Sequence, residues 1–61
     1  MKRIVVTTKM GYLNIPGDRI EFNEDSYMFF GYCGADMVLA IDSSVVMDIH
    51  VTQKREWPDG L

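Results

Sequence analysis

Apolar and polar residues alternate with a period of two over most of this chain, and no stretch holds a helical period for three turns. Runs rich in Val, Ile, Tyr and Phe are separated by Gly, Pro, Asn and Asp, as short strands joined by tight turns require. Arg3–Lys9 sets Ile4, Val6 and Thr8 on one face; Tyr12–Ile15 sets Leu13 and Ile15 on one face, with Tyr12 and Asn14 opposite. Met10-Gly11 between them reads as a two-residue turn, Gly supplying the positive φ that hairpin turns need. That register pairs Thr8 with Leu13 and Val6 with Ile15, which keeps the apolar residues on a single face. Pro16-Gly17 interrupts the second strand, since Pro lacks a donor and Gly permits a bend. Arg19–Asn23 resumes it, with Ile20 and Phe22 inward and Arg19, Glu21 and Asn23 outward.

The stretch SYMFFGYCG, Ser26–Gly34, is followed by Ala35 and then by MVLAID, Met37–Asp42. Gly34 as the first loop residue suits a type II′ hairpin, which pairs Tyr32 with Met37, Phe30 with Leu39 and Met28 with Ile41. These six form the expected core face. Tyr27, Phe29, Gly31 and Cys33, beside Val38, Ala40 and Asp42, form the opposite one. A three-residue loop at Glu24–Ser26 pairs Phe22 with Met28 and Ile20 with Phe30 and so continues the core, whereas a two-residue loop sets Phe22 beside Tyr27 on the wrong face. Asp42–Val46 has an N-cap-like start and room for a single 3₁₀ turn. Met47–Lys54 alternates again, with Met47, Ile49 and Val51 inward. The expected fold is all-β: residues 1–54 form one five-stranded SH3-like small barrel with a short 3₁₀ turn before the last strand, curled to hide its edges. Residues 55–61 form a C-terminal tail in which Trp57 can dock on the body. An open antiparallel meander that dimerises is the alternative.

Composition narrows the class. The chain has 61 residues, 48% apolar and 25% charged, which fits one globular domain and excludes disorder. Cys33 is the single cysteine, so no internal disulfide forms and a disulfide-stapled secreted scaffold is not the expectation. Lys2 and Arg3 precede only three apolar residues, too few for a signal peptide or for the ~20 residues of a membrane helix. The expected address is the cytoplasm. The net charge of −3 hides an asymmetry: no Lys or Arg occurs between Ile20 and Gln53, where Glu21, Glu24, Asp25, Asp36, Asp42 and Asp48 all lie. An acidic body repels nucleic-acid phosphates and attracts basic surfaces. The same carboxylates also account for solubility.

Candidate chemistry is sparse. One His and one Cys offer no paired zinc ligands, and His50 reads as a surface strand residue beside Asp48 and Thr52. Asp42, Ser43 and Ser44 read as turn formers rather than as parts of a triad with His50. No nucleophile elbow or phosphate-binding glycine loop is present. The expectation is therefore a non-enzyme without metal or cofactor. Nucleic-acid binding needs a basic face with interleaved aromatics. Only antiparallel pairing of the first and last strands would supply one, by gathering Lys2, Arg3, Lys54 and Arg55 into a cluster able to hold a phosphate. The stronger signal is the second face of the central hairpin, where Tyr27, Phe29 and Val38 are fringed by Glu21 and joined by Trp57 if it docks. Apolar patches with polar rims mark protein interfaces.

The combination GYLNIPGDRIEF…MVLAIDSSVVMDIHV, spanning Gly11 to Val51, resembles small uncharacterised β proteins encoded by phages and integrated elements of Gram-positive bacteria. The resemblance carries no catalytic motif and assigns no site residue. VTTKMGYLNIPGDRIEF is also similar to swapped-hairpin DNA-binding antitoxins, but the helix and basic loops those proteins use are missing here. The expected function is a protein-interaction module that binds a larger protein or a second copy of itself as a homodimer, and in a mobile-element setting modulates a host protein. The alternative is a small nucleic-acid-binding barrel using the terminal basic cluster. Nucleic acid is the disfavoured partner, and no membrane is expected.

Overall fold

The computed structural model describes residues 2–53. Strands form where the alternating segments lie: β1 (Lys2–Thr8), β2 (Gly11–Pro16), β3 (Arg19–Asn23), β4 (Met28–Cys33), β5 (Asp36–Asp42) and β6 (Val46–Gln53). A 3₁₀ turn at Ser43–Val45 precedes β6, as the sequence predicts, with the Asp42 carboxylate accepting from the Ser44 amide at its start. The fold is all-β, with two three-stranded antiparallel sheets ordered β2-β1-β6 and β3-β4-β5. The expected tail, 55–61, lies outside the described residues.

The expected five strands become six because the corner at Gly17-Asp18 divides its amides between the sheets. The Gly17 amide donates to Lys2 O at 3.2 Å and the next amide, of Asp18, donates to Tyr32 O at 2.8 Å. The chain thus leaves β1 as its partner and takes up β4. A side chain at Gly17 would strike Ile4, so glycine is required at this corner. Among the described residues no strand ladder joins the two sheets: β2 and β6 edge one, β3 and β5 the other.

In the first sheet, Ile4 pairs with Ile15 and Val51, and Val6 with Leu13 and Ile49. Ile4 and Val6 are fully buried. The first loop is Lys9-Met10 rather than Met10-Gly11, a slip of two residues that leaves every side chain on its expected face. The Thr8 hydroxyl clamps it, donating to Gly11 O at 3.0 Å and accepting from the Met10 amide at 3.1 Å. Pairing of β1 with β6 shifts between Thr7 and Thr8, so Met47 is the extra residue of a bulge and is exposed rather than inward.

The second sheet departs further. Phe22 pairs with Phe29 and Ile20 with Gly31, because the loop after β3 holds four residues, Glu24–Tyr27, instead of three. The Asn23 side chain accepts from the Asp25 and Ser26 amides, and the Tyr27 amide donates to Asn23 O at 2.8 Å, closing a wider turn. A slip of one residue turns every side chain over. Hence Phe29 and Gly31, not Met28, Phe30 and Tyr32, face the other sheet. Gly31 is buried against Ile4, and a Cβ there would lie 2.7 Å from Ile4 Cδ1 and 3.1 Å from Leu39 Cβ. The type II′ hairpin at Gly34-Ala35 forms as expected, with Tyr32 opposite Met37 and Gly34 at φ 63°. A shift between Gly31 and Tyr32 then leaves Val38 as a bulge and brings Leu39 opposite Gly31 and Ile41 opposite Phe29.

Candidate functional site

The one-residue slip builds an aromatic corner at the β3–β4 loop. Phe22 lies 5.1 Å from Phe29 and 6.1 Å from Tyr27 between ring centroids, both pairs tilted, as aromatic quadrupoles favour. Phe29 is half-buried on the inner face, whereas Tyr27 is 65% exposed at the loop end. Tyr27 adopts φ 56°, a left-handed conformation that costs a bulky residue about 1–2 kcal/mol. Its carbonyl accepts from the Ser43 amide at 2.9 Å, which fastens this loop to the 3₁₀ turn. Glu24 and Asp25 lie in the same loop and are exposed, so the corner has an acidic rim.

The other predicted contact residues are divided. Val38 is exposed in the β5 bulge. Glu21, opposite Phe30, lies on the outer face and meets Arg19 at 3.5 Å, while Arg19 stacks 4.5 Å over the Tyr32 ring. Trp57 lies outside the described residues, as do Lys54 and Arg55 of the expected basic cluster. The antiparallel β1–β6 pairing that such a cluster requires is present, with Lys2 opposite Gln53. Arg3 is already engaged by Asn14, through its side-chain oxygen and through its carbonyl at 3.0 Å.

Sequence reasoning assigned Phe22 to the core and so missed its place in the aromatic corner. It missed a second feature altogether. The two sheets close on each other at Ile4, Gly17 and Gly31 and part at the opposite end, leaving an apolar cleft of about 510 Å³. The β1–β2 hairpin, Thr8–Leu13, forms one wall, and Ile41 and Val45 the other. The signal available was Met10 at a hairpin apex followed by Tyr12, two large apolar residues where polar ones are usual.

Among the described residues no group of three or more His, Cys, Asp and Glu side chains converges as a metal site would need. His50 Nδ1 lies 2.8 Å from Asp48 on the surface of β6. The backbone hydrogen bond from Ser44, followed by that from its hydroxyl, holds the Asp42 carboxyl below the ordinary carboxylate value. This is the chemistry of a helix-turn cap. Among the described residues no helix is long and apolar enough to cross a membrane. Comparison with protein families, curated proteins and solved structures returns no match.

Proposed function

We propose that this chain is a non-enzymatic protein-interaction module that grips a partner through Tyr27 and the exposed part of Phe22, with the inward-facing Phe29 supporting them from behind. The observation that carries the reading is Tyr27. It is exposed, held in a left-handed conformation that Gly or Asn adopts more readily, and tilted against Phe22, whose ring contact only partly offsets that strain. Tyrosine and phenylalanine bury large areas with few rotors to freeze, which suits a contact surface. The acidic rim of Glu24 and Asp25 favours a partner whose pocket is apolar with a basic border. The resemblance to small proteins of phages and mobile elements fits a modulator of a host protein.

The strand connectivity supports an SH3-like reading of the domain. β2 turns a corner into β3, a tight hairpin joins β4 to β5, and a 3₁₀ turn precedes a last strand paired with the first. We read it as an opened relative of that barrel, with its interior accessible from one end.

The test uses Tyr27→Gly, which keeps the left-handed backbone and removes the ring. The variant is expected to stay within about 1 kcal/mol of the parent by denaturant titration, the relieved backbone strain being offset by glycine's chain entropy and the lost Phe22 contact. As an affinity bait in lysate of a Gram-positive bacterium, it should lose a protein that the parent retains, and Phe22→Ser should lose the same one. Identical retained proteins for all three baits would refute the reading.

A further inference from the structure

The cleft between the sheets is a second apolar surface, at the hairpin end of β1 and β2. Met10 stands at the loop tip, 96% exposed, and Tyr12 is 70% exposed, with Leu13 and Val45 also open to solvent. Both a protruding apolar side chain and a hole of about 510 Å³ therefore occupy one face. We infer that this face is a symmetric dimer interface, each copy laying its Met10 hairpin into the cleft of the other. The inference rests on the reading of the chain as a binding module but uses a different surface.

Two observations favour a second copy as the occupant. A two-fold contact needs a patch complementary to itself, and knob and hole here lie side by side. In addition, the cleft is lined by no carboxylate and by one cation, Lys9, in a chain of net charge −3. It is the place where two acidic copies approach with least repulsion.

Sedimentation equilibrium of the full chain over a wide concentration range tests this. The parent should be dimeric at high concentration, and Met10→Glu should raise the dissociation constant about 30-fold or more, the effect of losing a contact hot spot. Because Met10 lies at an exposed loop tip, the variant should keep the parent's circular dichroism. Raising salt from about 0.05 to about 0.5 M should leave the dimer intact or tighten it by screening like charges, whereas capture of a basic partner at the aromatic corner should weaken. In the unmodified chain, NMR shifts that change with concentration should centre on Met10, Tyr12, Leu13 and Val45. A monomer at every concentration up to about 1 mM, a dimer indifferent to Met10→Glu, or shifts centred on Tyr27 and Val38 would each overturn the inference. The bait result with Tyr27→Gly is independent of all three.

Discussion

Gly31 is where a missing side chain decides the packing. It pairs with Ile20 and Leu39 in the middle of the second sheet, and the Ile4 side chain fills the space above it. Gly31→Ala gains chain entropy of about 0.4–1 kcal/mol but forces a methyl into Ile4 Cδ1, and overpacking of a closed core costs about 1–3 kcal/mol. The clash wins, and urea titration should show a net loss of about 1–2 kcal/mol. Ile4→Val removes Cδ1, so in that background the same glycine change should cost markedly less. Equal costs in the two backgrounds would mean that Ile4 is not the obstruction. At this scale the sequence was legible for Ile4, Val6 and Gly34 and illegible for Gly31 and Tyr27. A glycine in a strand and a tyrosine in a loop acquire their roles only from what lies across from them.

At the scale of the element, the turns that follow local chemistry were read correctly and those that compete with side-chain bonding were not. Gly34 dictates the type II′ hairpin, and Asp42 with Ser44 dictates the 3₁₀ cap. The Asn23 side chain instead captures two amides and lengthens its loop to four residues, and the bulges at Val38 and Met47 change register inside strands whose alternation looks regular. The cap has a pH signature. Hydrogen bonds from Ser44 lower the folded pKa of Asp42, so its stabilisation is complete above the unfolded value of about 3.9 and is lost as pH falls through the lower folded value. Asp42→Asn keeps an acceptor but does not titrate. The parent should be more stable than this variant near neutrality, and the difference in denaturation midpoint should shrink as pH falls below the ordinary carboxylate value of about 3.9. A difference that persists in acid would show that the charge of Asp42 has no part in the cap.

At the scale of the molecule, the described residues bury just two side chains completely and spread over 41 × 28 × 12 Å. The radius of gyration, 12.2 Å, exceeds the ~10 Å of a compact chain of this length. On the dimer inferred above, such an open wedge would gain stability from the second copy that covers its cleft. The thermal midpoint should therefore rise by about 5 °C for each tenfold increase in protein concentration, half the dimer's association term falling on each chain. Calorimetry at two concentrations measures this, and equal midpoints would show that folding is not linked to association. The aromatic corner and the cleft both belong to this scale. The corner lies within the β3–β4 hairpin and depends on its register, whereas the cleft joins the β1–β2 hairpin to Ile41 and Val45 and leaves no contiguous motif in the chain.

The alternation of apolar and polar residues, the Gly and Pro breaks and the charge distribution determined the all-β class, the strand positions and the acidic surface, because these depend on neighbours one or two residues apart. Which face of the central hairpin turns inward was decided by tertiary packing. Ile4 needs a position without a side chain beneath it, only Gly31 supplies one in that strand, and meeting that need sets Phe29 beside Phe22 on the inner face.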